Sequence, residues 1–133
     1  SEIVRKRLDL TDEEQVIRLE RLRTADDLPI AHEIDYLPHP RASSIYKRAK
    51  EVADGSLYSL MSAEGLIPYL AEQTLKADTA SAREAELLRV QPSEPGLRLT
   101  CTTFDSTGSP IVYSESFYPG ARYDFQVTLR VAK

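Results

Sequence analysis

Two stretches of the chain carry the same proline punctuation, and this restricts the fold more than any other feature. Pro29-Ile30 and Pro110-Ile111 each open a candidate strand, and Pro38 and Pro119 each close one, with the same spacing between the two copies. Proline has no N–H for a sheet ladder, so it collects at strand ends. A polar turn precedes each strand: Ala25-Asp26-Asp27-Leu28 in the first copy, Asp105-Ser106-Thr107-Gly108 in the second. Gln15–Thr24 and Leu97–Phe104 run into those turns with alternating or β-branched residues, so each copy reads as a hairpin. Shifted by the shared spacing, Tyr36 falls on Phe117 and Leu37 on Tyr118. An internally near-duplicated sheet explains the match, which is short enough for chance to produce it too.

The remaining segments fill in around these hairpins. Ile3–Leu10 alternates loosely and predicts a strand, followed by a polar turn at Thr11–Glu14. Arg41–Asp54 is polar with a helical tendency through Ile45, Ala49 and Val52, ended by Gly55. Ser56 is a plausible N-cap, with Leu57, Leu60 and Met61 at helical spacing behind it and Gly65 as the stop. Ile67–Lys76 predicts a strand. Ser81-Ala82-Arg83-Glu84 has the capping-box pattern, opening a helix through Leu88. Ile111–Tyr118 and Tyr123–Val131 predict two more strands.

Length and charge narrow the function. With 133 residues the chain fits one domain, here taken as residues 1–133, able to bury a core without cross-links. A single cysteine, Cys101, allows no internal disulfide, which fits the cytoplasm. No apolar run approaches the length of a membrane span. The net charge of −4 argues against nucleic-acid binding by this chain alone. Its first residue is Ser1 rather than methionine, which suggests a piece of a longer protein with a partner domain.

Arg21 and Arg23 are the strongest local signal for chemistry. Residues two apart on a strand share a face. Ile17, Leu19, Arg21 and Arg23 therefore continue an apolar face with two guanidiniums. A charge on such a face needs an anionic partner, and arginine suits bidentate grip on phosphate or carboxylate. The competing reading is two surface arginines paired with Glu20, Asp26 or Asp27. Ser56 offers the free N–H groups of a helix start, with Gly55 allowing close approach and Tyr58 in the first turn. The ordinary N-cap is the competing reading there, and a half-wet core aromatic is the one for Tyr58. Glu33, on the return strand, is placed either to accept from ligand hydroxyl or amino groups or to pair with a strand arginine. Tyr118 either stacks on a ligand or fills the core.

Catalytic and metal signatures are weak. His32 and His39 are the only histidines, and His32 and Glu33 point to opposite faces of a strand, a poor metal pair. No metal or cofactor is expected. Cys101 reads as strand packing rather than as a nucleophile.

The string from Arg18 to Glu33, with its R-x-R and P-I-A-x-E elements, resembles the signature of UTRA domains. These are the effector-binding domains of the HutC subfamily of GntR transcription regulators. Ser56-Leu57-Tyr58, Ala85–Val90 and Gly108–Ser114 leading to Tyr118 agree in order and spacing. The resemblance implies an α+β, chorismate-lyase-like fold: an antiparallel sheet with flanking helices. It also implies a homodimer in the intact regulator, with DNA bound only through an N-terminal winged helix-turn-helix that this sequence does not include. Positions matching Arg21, Arg23 and Ser56, with Tyr58 beside them, hold phosphate in family members that sense phosphorylated amino sugars. Those matching Glu33 and Tyr118 face the rest of the ligand.

Two departures stand out. Val112 replaces a glutamate that sugar-sensing members often carry, which implies one lost polar contact. Pro119-Gly120-Ala121-Arg122-Tyr123 replaces a common Arg-Gly-Asp-Arg-Tyr stretch. The reading is then a domain that performs no chemistry and binds a small anionic metabolite, such as a sugar phosphate, as inducer or corepressor. Its rivals are a chorismate-lyase-like enzyme acting on an anionic aromatic substrate, with Glu33 as acid or base, and a dimerisation module with an empty pocket.

Overall fold

The structure is a computed structural model that describes residues 1–48 and 56–132. Five strands form one antiparallel sheet: β1 (Val16–Ala25), β2 (Leu28–Pro38), β3 (Leu70–Thr79), β4 (Pro95–Phe104) and β5 (Pro110–Pro119). Their spatial order is β1-β2-β5-β4-β3. The described residues also form helices α1 (Glu2–Arg7), α2 (His39–Lys47), α3 (Leu57–Ala63) and α4 (Ala82–Leu88). This is the α+β architecture, an antiparallel sheet with flanking helices, that the resemblance implied.

Both hairpins form where the proline punctuation places them. Asp26 and Asp27 both take positive φ, 50° and 63°, the geometry that lets a two-residue turn follow the twist of its strands. At the second turn, the Asp105 carboxylate accepts the N–H groups of Thr107 and Ser109, and Gly108 supplies a φ of 85°. The return strands β2 and β5 meet at the centre of the sheet, with Ile34 opposite Glu115. Shifted by the spacing of the repeated prolines, Ile34 falls on Glu115 itself. The pairs Tyr36–Tyr113 and His32–Phe117 then exchange with each other. The repeated punctuation thus corresponds to an approximate two-fold relation between neighbouring hairpins.

Helices cover both faces of the sheet. α2 and α3 bury Ile45, Leu57, Leu60 and Met61 against Ile17, Leu37, Ile111 and Val112. On the other face, α4 brings Ala85 and Leu88 onto Phe117, and Arg98 lies over that ring at 4.9 Å from its centroid. The capping box of α4 is complete, with Ser81 Oγ and the Glu84 carboxylate each accepting the other's backbone N–H.

Three expectations need correction. Ile3–Leu10 is not a strand, because its first part is α1. Val4 and Leu8, one helical turn apart, bury against Tyr113, whereas Ile3 points outward. Ser1 caps the helix, Glu2 lies in its first turn and Arg5, Lys6 and Arg7 in its last, so the charges suit the helix dipole. β3 spans Leu70–Thr79 rather than Ile67–Lys76. Pro68 lacks a ladder donor, and the ten-residue pairing with β4 sets the register from Leu70–Phe104 to Thr79–Pro95. Tyr123–Val131 forms no strand within the chain. The expectations for Ala49, Val52 and Gly55 lie outside the described residues.

Gly96 is where the β4–β5 ladder tolerates no side chain. A Cβ there would meet the Tyr118 carbonyl oxygen at 2.3 Å and Phe117 Cζ at 2.7 Å. The obstacle is partly backbone, so a rotamer change cannot relieve it. Gly96→Ala is expected to destabilise the domain by about 1–3 kcal/mol, measured by urea denaturation. An unchanged midpoint would mean that β4 and β5 separate there more easily than their pairing implies.

Candidate functional site

The sheet face that carries α2 and α3 at one end is open at the other, and alternation across five strands decides what lines it. Leu19, Asp35, Ser114, Cys101 and Gln73 lie side by side in one row. Arg21, Glu33, Ser116, Leu99 and Leu75 form the next. Arg23 and Tyr118 extend the floor, and Ser56, Leu57 and Tyr58 at the start of α3 form a wall. Apart from Leu19 and Leu75, these residues enclose a cleft of about 320 Å³, within the range of small-ligand sites. All six residues singled out from the sequence line it: Arg21, Arg23, Glu33, Ser56, Tyr58 and Tyr118.

The two arginines stand differently. Arg21 is enclosed, with a side chain 15% exposed. Its Nε donates to Asp35 Oδ2 at 3.2 Å and its Nη2 to Glu33. Nη1 makes no hydrogen bond among the described residues. Arg23 is 53% exposed and approaches Glu33 Oε1 only to 3.5 Å. For Arg21 the competing reading was half right, because it does have acidic partners, though on β2 rather than at Glu20 or in the turn. Glu33 has both roles open to it: it pairs with the arginines and it lines the cleft.

Asp35 was not singled out from the sequence, yet it is the most enclosed charged group of the site, with a side chain 1% exposed. Ser114 Oγ donates to its Oδ1 at 2.6 Å. Burial first, then the nearby Glu33 charge, push its pKa up to about 7, against the opposing pull of the Ser114 hydrogen bond and Arg21. Arg21 shows the converse: burial alone would weaken its charge, but Asp35 and Glu33 together raise its pKa. The site therefore holds two guanidiniums against two carboxyls, one of which takes up a proton near neutrality.

Further polar groups complete the lining. Tyr58 OH is 2.7 Å from Thr103 Oγ1, which fixes its ring over the floor. Ser56 Oγ accepts the Ser59 N–H at 3.3 Å, an ordinary N-cap. Tyr118 packs on Tyr123 with ring centroids 4.2 Å apart. Burial raises the pKa of Tyr58, Cys101 and Tyr118, so these are neutral donors at physiological pH. Cys101 lines the cleft half-buried instead of packing in the core. Val112, which shares the face of Ser114 and Ser116 on β5, is buried in the apolar cluster beside the cleft. His32 sits on the opposite face, its Nε2 2.6 Å from Glu20 Oε2. Arg122, kept in the departing C-terminal turn, donates to the carbonyls of Pro29, Leu88 and Arg89 and so ties that turn to β2 and α4.

Comparison with known proteins identifies the family. Residues 1–124 match the model of the UTRA domain family. The chain is 29% identical over 109 residues to the HTH-type transcriptional repressor NagR of Bacillus subtilis, covering 81% of this chain and 44% of the repressor. It thus spans less than half of that curated relative. Among solved structures, a GntR-family transcriptional regulator from Enterococcus faecalis superimposes with a TM-score of 0.87 at 30% identity, over 97% of this chain and 91% of the other. The effector domain of PhnF from Mycobacterium smegmatis gives a TM-score of 0.90 at 25% identity, over 98% of this chain and 80% of the other. With the family model matched over nearly its whole length, the chain belongs to the UTRA domain family, the effector domains of GntR-family transcription regulators.

Proposed function

We propose that the cleft binds a small anionic metabolite, a sugar phosphate or a related compound, and that its occupancy controls DNA binding by an attached helix-turn-helix domain. In this reading the intact regulator is a cytoplasmic homodimer. The observation that carries the reading is the asymmetry between the arginines. Arg21 is held rigid by Glu33 and Asp35, with Nη1 left over, while Arg23 stands at the mouth with its charge largely unspent. An anion bridging these two groups gains charge-assisted hydrogen bonds from a preset fork. Hydroxyls of Ser56, Tyr58 and Tyr118 surround that position, and Glu33 is left to accept from hydroxyl or amino groups on the rest of the ligand. The ligand shifts the regulator between states only by its difference in affinity for them.

One observation favours the enzyme reading: a carboxyl with a pKa near neutrality inside a cleft is what an acid–base catalyst needs. Asp35 fits that role poorly. Arg21 and Ser114 occupy both its oxygens, and almost none of it reaches the cleft surface.

The test is thermal denaturation with amino-sugar and hexose phosphates, free sugars, inorganic phosphate, chorismate and short carboxylic acids. A ligand at a hundred times its dissociation constant stabilises by about 2.7 kcal/mol, several degrees for a domain of this size. We expect such a shift with a phosphorylated metabolite and its loss in Arg23→Ala. That variant changes the unliganded stability by no more than about 0.5 kcal/mol, because its side chain is mostly in solvent. A shift with chorismate or an uncharged compound alone, or one that persists in Arg23→Ala, contradicts the reading.

A further inference from the structure

Charge in the cleft no longer balances once an anion enters it. Arg21 lies between the two carboxyls, with its Nε 3.2 Å from Asp35 Oδ2 and its Nη2 on Glu33, while Arg23 stands 3.5 Å from Glu33 Oε1. Two cations thus face two carboxyls. An anion held between Arg21 Nη1 and Arg23 adds negative charge and draws on both cations. Asp35 bears most of the surplus, because its side chain is 1% exposed and water cannot screen it. A proton on that carboxyl restores the balance.

The contacts of Asp35 accept this proton without moving a heavy atom. Ser114 Oγ lies 2.6 Å from Oδ1, and a hydroxyl both donates and accepts. Opposite an ionised Asp35, Ser114 commits its one hydrogen to the carboxylate. Opposite a protonated Asp35 the bond reverses: Oδ1–H donates to Ser114 Oγ, and the serine hydrogen is released. Arg21 Nε keeps its bond to Oδ2 in both cases. Ser114 lines the cleft, between Asp35 on β2 and Cys101 on β4 in one row, so the released hydrogen can reach an acceptor held there.

The other titratable groups around the cleft do not take this role. Arginine does not lose its proton in proteins, which leaves Arg21 and Arg23 of β1 as fixed charges. Burial raises the pKa of Tyr58 on α3, Cys101 on β4 and Tyr118 on β5, so they stay neutral. Glu33 on β2 has two arginines beside it, where Asp35 has one. Burial and then the Glu33 charge already push the Asp35 pKa up to about 7, and a bound anion adds to that push.

We propose that the cleft takes up its anion together with one proton, carried on Asp35, and that Ser114 then donates to the ligand. The inference rests on the anion-binding reading above and adds to it a pH-dependent affinity and a further ligand contact. Binding draws a proton from water wherever the free domain has released it, above about pH 7. Affinity therefore falls as pH rises beyond that point, and it is flat below about pH 6, where Asp35 is protonated with and without ligand.

Sulfate is the probe, because its charge is constant over this range, whereas a phosphate group titrates near ~6. Titrations at pH 6, 7 and 8.5, with chloride holding the ionic strength, are followed by carbon-13 NMR of the Asp35 carboxyl and the arginine Cζ carbons. We expect the sulfate Kd to rise about tenfold or more from pH 6 to pH 8.5, and the Asp35 midpoint to move up in saturating sulfate. Asp35→Asn presents an N–H to Ser114 in place of the acid O–H, so its Kd should not change with pH and should lie below the parent's at pH 8.5. Ser114→Ala should weaken sulfate about tenfold at pH 6. Cooperative unfolding of each variant checks its fold, and the Asp35 midpoint tests the parent without any substitution. An equal Kd at pH 6 and 8.5, an unmoved Asp35 midpoint, an equally steep pH dependence in Asp35→Asn, or full affinity in Ser114→Ala would each overturn the proposal while leaving the anion site standing. No saturable response to sulfate or to inorganic phosphate at any pH would overturn the anion site, and the proposal with it.

Discussion

Arg21→Ala is expected to lower the free energy of unfolding by about 3–5 kcal/mol, the usual cost of removing one partner from a buried ion cluster. Arg21 is the shared counter-ion of Glu33 and Asp35, bonded to both and itself largely enclosed. Its loss leaves two carboxyls facing each other with only the exposed Arg23 near Glu33. The cost should shrink at pH 5, where Asp35 holds a proton and only one negative charge remains. It should also shrink when Asp35→Ala is added, because one of the two orphaned carboxyls is then gone. Urea denaturation of the parent, the single variants and the double variant measures this coupling. A loss below about 1 kcal/mol at pH 7 would mean that water or a rearranged Arg23 replaces the cation readily. For binding work, Arg21→Ala is therefore a poor probe, since lost affinity and lost fold arrive together. Arg23→Ala separates them.

The second large effect is a pH dependence centred on Asp35. In the unfolded chain its carboxyl titrates near the ordinary value of about 3.9. In the folded chain burial, and then the nearby Glu33 charge, push it up to about 7. Between those limits the folded state binds a proton that the unfolded state has released, so stability falls as pH rises across the window and levels off above it. A shift of this direction and size corresponds to a loss of a few kcal/mol. Asp35→Asn should remove this slope while keeping the shape of the side chain. The difference between the two stability curves isolates the group, because Glu20, whose hydrogen bonds to His32 and Arg83 hold its pKa down to about 2, acts in more acidic solution. Equal slopes for parent and variant from pH 4 to 7 would show that Asp35 is ionised throughout.

Local rules carried much of this site. Alternation places Arg21 with Arg23 and aims both at one face, and the same rule brings Glu33 to that face of β2. Applied one step further along β2 it also picks out Asp35, and along β5 it picks out Ser114 and Ser116 beside Tyr118. What alternation cannot supply is which strands become neighbours. The β2–β5 contact joins residues far apart in sequence, and only this contact sets Ser114 against Asp35. The error at the N-terminus has a different origin. Over so short a segment, a loose alternation competes with a single pair one turn apart, and burial of Val4 and Leu8 against Tyr113 decides for the helix. Tyr123–Val131 shows the reverse: its strand pattern is clear, but no strand within the chain lies beside it.

The most direct measurement of the central claim is a heteronuclear NMR titration with whichever phosphorylated metabolite gives the largest thermal shift. It should follow backbone amides and the Nε–Hε groups of the arginines. Saturable changes are expected at Arg21 and Arg23 Nε and at the amides of Ser56–Ser59 and Ser114–Tyr118. Residues around His32 and Glu20 on the opposite face should stay still. Changes confined to that opposite face, or to the surface around α1, with both arginine signals unmoved, would contradict it.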